Sequence, residues 1–256
     1  EAGVGKTEIA NMCDIAGFRI RLPMVDIHTV GAGGGSIAHV GADGLMKVGP
    51  QSAGAVPGPA CYGKGGDLPT VSDANVVLGR LPAALAGGLT LDTEKARAAI
   101  ARIAEPLGLT ITQTALGIAG IVTSNMTRAI RAVSTEKGHD PRNFTLMPFG
   151  GAGGLHATDV ARALGIPQVI IPNAPGILCA DGLIESDLQE NFVATCRARL
   201  GDDLREVKGA LAALCTQADS WIASESDGAG TMQKIASVDM RYVGQNYELP
   251  VLISAS

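Results

Sequence analysis

The reading of the fold turns on Val25-Asp26-Ile27-His28-Thr29-Val30-Gly31-Ala32-Gly33-Gly34-Gly35-Ser36-Ile37-Ala38. It opens as a short apolar strand with Asp26 and His28 at alternate positions, hence on one face. It breaks at Gly31, Gly33, Gly34 and Gly35 and resumes at Ser36 as a second strand. Consecutive glycines leave backbone amides unshielded, as close approach to an anion or substrate requires. A sharp β-turn between two strands uses the same residues, and both readings are open here. Asp26 and His28 also read two ways: a carboxylate–imidazole pair holding a divalent cation or positioning water, or a polar pair on a solvated face.

Outward from this stretch, residues 18–22, 24–30, 36–40 and 45–48 read as strands of an antiparallel meander, with a turn at 41–44. Residues 49–66 form a Gly/Pro/Ala-rich loop too long for a simple connector. It carries Cys61, to which no base is paired in sequence. Upstream, Gly3-Val4-Gly5-Lys6-Thr7 matches only the end of a phosphate-binding loop, without its first glycine or a preceding strand. Ser72 to Asn75 can cap a short helix through Leu81, leaving Asp73 and Asn75 as cap or substrate residues. Asp92 starts an amphipathic helix with Ala96, Ala99, Ile100, Ile103 and Leu107 on one face. Thr110 or Thr112 opens a longer helix to about residue 137, striped by Ala115, Ile118, Val122, Met126, Ile130 and Val133. Both helices read as core elements without chemistry.

A second signal lies at 144–164. A strand feeds Phe149-Gly150-Gly151-Ala152-Gly153-Gly154-Leu155-His156 and then a helix, so backbone amides and the helix N-terminus face the carboxyl edge of a sheet. The spacing is not a dinucleotide fingerprint. A strand at 168–171 closes a β-α-β unit. His156 falls in the first helical turn, where the dipole disfavours a cation and a neutral imidazole is expected, hydrogen-bonded to a loop. His39 and His139 receive no assignment. Beyond, a small-residue helix follows 173–182. A strand is expected near 192–200, a helix over 202–221, a polar loop at 224–230 and a strand over 235–247.

The net charge of −5, with no basic run, argues against nucleic acid as partner. Aromatic content of 3% leaves no base-stacking platform. The five scattered cysteines read as reduced thiols of a cytoplasmic protein rather than a disulfide framework. No apolar run approaches the ~20 residues of a membrane helix, so no membrane partner is expected. The chain begins at Glu1 and ends at Ser256, and it reads as an internal stretch of a longer polypeptide.

Residues 23–38, 48–63, 69–81 and 149–157 resemble, in order, motifs of the hydantoinase A / 5-oxoprolinase family. So do Pro175-Gly176-Ile177-Leu178-Cys179-Ala180-Asp181-Gly182 and Met240-Arg241-Tyr242-Val243-Gly244-Gln245. That family includes acetone and acetophenone carboxylase subunits. The resemblance implies an α/β, actin-like ATPase (ribonuclease H-like) fold, mainly its second lobe. Residues 1–190 would form the ATPase-like lobe and 191–256 the start of a C-terminal α/β segment. It implies ATP-dependent ring opening of a cyclic amide or imide of hydantoin or 5-oxoproline type by carbonyl phosphorylation, with Mg or another divalent cation. It also implies a second, large hydantoinase B-type subunit in a hetero-oligomer. Ketone carboxylation and a non-catalytic lobe are the alternative functions.

On this resemblance Gly150, Gly151, Ala152, Gly153 and His156 bind nucleotide, and Asp26 and His28 are catalytic and metal residues. Gly31, Gly33, Gly34, Gly35, Ser36 and Asp73 line the cleft or substrate loop. The sequence departs from the family at Val56, where an acidic residue is usual, and at Gly154, where proline is usual. The family's Asp-x-Gly-Gly-Thr phosphate hairpins do not occur in these 256 residues. These residues alone are therefore expected not to turn over ATP.

Overall fold

The structure is a computed structural model and describes residues 9–10, 13–15, 17–20, 24–25, 27–85, 87–225 and 231–253. Asp26 and the Gly3–Thr7 stretch lie outside the described residues. The chain divides into two units, Glu1–Glu185 and Ser186–Ser256.

In the first unit the described strands form separate pairs rather than one meander. Strand β1 (Ile9–Ala10) pairs with β4 (Met24–Val25), and β2 (Cys13–Ile15) with β3 (Phe18–Ile20). The strand expected over 24–30 stops at Val25, and residues 27–30 run on exposed without ladder partners. Strands β5 (Ser36–Val40) and β6 (Met46–Ser52) pair antiparallel across the predicted turn. Here β6 runs through Gly49 into the expected loop. Gly49 has φ +74°, and a Cβ there would meet the Gly31 carbonyl oxygen at 2.7 Å, so this crossing favours glycine.

Helix α1 (Val71–Val77) is capped by Thr70, two residues before the Ser72–Asn75 stretch that the sequence suggested. The Thr70 hydroxyl accepts from the Asp73 N–H, and the Asp73 carboxylate accepts from the Thr70 N–H, a complete capping box. The helix then ends before Leu81 because Gly79 turns left-handed at φ +69°.

Helices α2 (Thr93–Leu107) and α3 (Ile111–Val133) start where their caps predict, at Asp92 and Thr110. The axis turns by 93° between them. Their facing stripes bury Ile100, Ile103, Ala115, Ile118 and Val122 with Ala38, Val48, Val71 and Ala74 in one core. The Asn125 side chain donates to the Val48 carbonyl at 3.3 Å, pinning α3 to β6. A smaller cluster joins Cys61, Val76, Leu91 and Ala96.

The β-α-β unit consists of β7 (Thr145–Leu146), α4 (Gly153–Leu164) and β8 (Gln168–Val169), with the strands parallel. Helix α5 (Leu178–Glu185) follows the Pro175 turn. Among the described residues no single helix is long and apolar enough to cross a membrane.

The second unit holds α6 (Arg205–Glu225) and the antiparallel strands β9 (Ala236–Met240) and β10 (Leu249–Ile253). Two expectations are corrected here. Residues 192–200 form no strand, because no described segment offers them a ladder. The strand expected over 235–247 ends at Met240, and a turn closes from Tyr242 to Gln245 around left-handed Gly244 before β10 pairs back.

Candidate functional site

The glycine turn before β5 is held by its own serine. The Gly33 N–H donates to Ser36 Oγ at 3.0 Å, and that hydroxyl donates to the Gly31 carbonyl at 3.4 Å. Ser36 is buried and its hydroxyl is engaged inside the turn. The carbonyls on either side tie outward: Ser72 N–H donates to Gly34 O, and Ala53 N–H to Gly35 O, both at 2.8 Å. Gly34 therefore lies against the first turn of α1. A Cβ on Gly34 would stand 2.7 Å from Ser72 Oγ and 3.5 Å from the Cβ of Ala152. The two glycine-rich stretches, far apart in sequence, come within one methyl group of each other at this point.

Three residues of α1 each fasten a different segment. Ser72 holds the glycine turn. Asp73 is fully buried, and its carboxylate accepts from Cys61 N–H at 2.7 Å, Ala60 N–H at 3.3 Å and the Thr70 hydroxyl at 2.7 Å. Asp73 is thus a clamp behind the loop and does not face a cleft. Burial, with that carboxylate beside it, pushes the Cys61 thiol far above its usual range, which leaves it a poor nucleophile. Asn75, also buried, reaches α4, where its Nδ2 lies 3.4 Å from Nε2 of His156.

His156 is buried completely. Burial and the nearby Arg80 guanidinium lower its pKa, while Asp159 works in the opposite direction. A neutral ring results, with desolvation as the leading cause. Its partner is Asn75 of α1 instead of the loop expected from sequence. Arg80 is paired with Asp159 at 3.4 Å, and Arg162 shares that carboxylate at 3.1 Å.

Helix α4 begins at Gly153 after Ala152, and no side chain caps its first turn. Its leading N–H groups carry the partial positive charge of a helix N-terminus, suited to an anion. Gly150 is committed elsewhere: its N–H donates to the Pro175 carbonyl at 2.7 Å, which closes the turn. Beside this terminus is a cleft of about 570 Å³. Its walls include His28, Met126, Ile130, Phe149, Gly153 and His156 and, among the described residues, no Asp, Glu, Lys or Arg. A volume of that size fits a small organic ligand. The lining suits an uncharged, largely apolar group, with the helix terminus offering a place for negative charge.

The structure thus brings His28, Gly153 and His156 to one cleft and sets Gly34 against Ala152. The second half of α3, assigned no chemistry from sequence, supplies a wall of it through Met126, Ile130 and Val133. Their stripe continues past the buried core residues, which is the signal that could have marked it. For a divalent cation the described side chains do not fit: no group of three or more His, Cys, Asp or Glu among them could hold one. His28 brings a single imidazole.

Two solved structures share this architecture. The ATP-dependent caprolactamase of Pseudomonas jessenii aligns with a TM-score of 0.66 and 40% identity, covering 96% of this chain and 37% of that one. A nucleotide-free acetone carboxylase aligns with a TM-score of 0.81 and 27% identity, covering 97% of this chain and 37% of the other. The chain has the α/β, actin-like ATPase fold of these proteins. In sequence it is 42% identical to the caprolactamase alpha subunit over 98% of its length, and 34% identical to the 5-oxoprolinase of Saccharomyces cerevisiae over 98%. It spans 37% and 20% of those two proteins respectively. Residues 3–192 match the Hydantoinase/oxoprolinase family, and the chain belongs to that family.

Proposed function

We propose that this chain is part of the nucleotide-binding subunit of an ATP-dependent cyclic amide hydrolase of hydantoin or 5-oxoproline type. The observation that carries the reading is the uncapped N-terminus of α4, opening at Gly153 beside the apolar cleft. A nucleotide would place its uncharged part in the cleft and negative charge towards the amides of Gly151 to Gly154. Amide resonance makes direct ring opening slow. Transfer of a phosphoryl group to the carbonyl oxygen gives a leaving group, and stabilising that transfer is electrostatic work suited to backbone amides. His28 would act towards the substrate from the wall of the cleft. Gly31 to Gly35 would form its rim next to Ala152.

In this proposal a large hydantoinase B-type subunit completes a cytoplasmic hetero-oligomer. The relatives named as subunits are consistent with such an assembly. The second reading is ATP-dependent ketone carboxylation, favoured by the higher TM-score to the acetone carboxylase. Substrate-dependent phosphate release by the full protein with its partner, measured with and without bicarbonate, separates the two. Lactam-dependent release without bicarbonate is the expected result, and strict bicarbonate dependence would overturn it.

A further inference from the structure

The cleft takes one face of α3, and a second hollow, of about 360 Å³, opens on another. Thr123, Ser124, Thr127, Arg128 and Arg131 line it. Thr127 and Arg131 follow Met126 and Ile130 of the cleft by one residue, about 100° around the helix. Hollow and cleft share no lining residue. The hollow is completed by two small residues, Gly120 of α3 and Ala163 of α4. Gly120 lies inside α3, where glycine weakens a helix relative to alanine. Its backbone is not left-handed, and a Cβ there would meet no atom within 4 Å. Nothing in the described packing requires the missing side chain, and its effect is to keep the hollow open.

Its charge is of one sign. Arg128 and Arg131 stand about one helical turn apart, and helical side chains lean towards the N-terminus, so both come back over the turn of Ser124 and Thr127. Among the described residues no Asp or Glu lines the hollow. Arg128 Nη2 makes a long bond of 3.5 Å to Asn125 Oδ1, and an amide oxygen leaves its charge unbalanced. Asp159, one turn before Ala163 on α4, is already engaged by Arg80 and Arg162. The hydroxyl of buried Thr127 donates to the Thr123 carbonyl at 2.8 Å. The hydroxyls of Thr123 and Ser124 are the neutral donors of the lining.

We propose that this hollow is a binding site for a phosphate-type oxyanion. A carboxylate offers two oxygens and is satisfied by one guanidinium fork. Two guanidinium groups with two hydroxyls match a tetrahedral dianion with three or more acceptor oxygens. Free phosphate and the phosphate end of an organic ester share that chemistry, and the volume leaves room for the body of a small ester. The site requires nothing of the proposed use of the cleft.

The test is calorimetric titration of the full protein with inorganic phosphate, with glycerol 3-phosphate and, as the carboxylate control, with acetate. Arg128→Gln and Arg131→Gln should each weaken binding of the phosphate probes by about tenfold. Both arginines are exposed, so the variants should unfold in urea like the wild type. Gly120→Leu fills the hollow and keeps both charges, and it should abolish binding. The tighter of the two phosphate probes identifies the source, ester or free phosphate. Acetate bound as tightly as phosphate overturns the assignment to phosphate. Binding that survives Gly120→Leu or the double arginine variant overturns the site, as does no binding of either phosphate probe to the wild type. Affinity for a non-hydrolysable ATP analogue should be the same in all variants. A parallel loss would make the hollow part of the nucleotide site and overturn its assignment as a separate one, whereas an analogue that binds nowhere counts against the proposed function alone.

Discussion

Replacing Gly34 with alanine introduces one methyl group where the glycine turn, α1 and the α4 loop converge. That carbon would lie 2.7 Å from Ser72 Oγ and 3.5 Å from the Cβ of Ala152, the first well inside contact distance. The Ser72 backbone is held by its N–H bond to the Gly34 carbonyl at 2.8 Å, so relief must come from turning its buried hydroxyl to another rotamer. Gly34 is not in the left-handed region, so the penalty is one of space and not of backbone preference. Overpacking of this kind costs about 1–3 kcal/mol. Urea unfolding of the full chain should therefore show a lowered midpoint at unchanged slope. Ser72→Ala deletes the crowding oxygen while keeping the backbone bond, so the double variant should recover most of the loss. A coupling of about 1–2 kcal/mol between the two sites is expected. Wild-type stability in Gly34→Ala, or a double variant no better than the single one, would refute the contact.

Three further outcomes follow from the same geometry. Asp73→Ala strands the N–H groups of Ala60 and Cys61 and the Thr70 cap, and should cost at least about 3 kcal/mol by denaturant unfolding; a loss below about 1 kcal/mol contradicts the clamp. The pKa of His156 is lowered from 6.5, so the unfolded chain takes up its proton first as pH falls. Its stabilising contribution is complete above that value and declines below it. His156→Asn should accordingly lose less stability than wild type between about pH 7 and pH 5.5, and equal losses would refute the burial argument. Cys61 should resist alkylation under native conditions while exposed Cys179 reacts, read by mass spectrometry of digested chain; equal labelling counts against its burial.

The parts legible in advance are those set by local chemistry. Asp92 and Thr110 cap helices whose apolar stripes repeat at helical spacing, and the stretch from Phe149 to Leu164 carries its own strand, turn and helix signals. Boundaries failed where a distant partner decides. The run 27–30 alternates like a strand, yet without a described neighbour to bond it remains irregular, and residues 192–200 fail for the same reason. Asp73 shows the limit for the site. Its position near a loop is equally compatible with a substrate contact, and only the placement of Ala60 and Cys61 shows that the carboxylate faces inward. The contacts of Asn75 with His156 and of Gly34 towards Ala152 are long-range and leave no periodic trace in the sequence.

Helix α1 has only seven residues, yet Ser72, Asp73 and Asn75 face three different segments. Angular register therefore matters more there than length. Successive residues of a helix are about 100° apart, so inserting one between Thr70 and Ser72 would turn every fastening away from its target at once. A longer connection after Gly79 would disturb none of them. The segment tolerates change at its exit and not at its entrance, and the glycine turn, the Cys61 loop and the head of α4 inherit that dependence together.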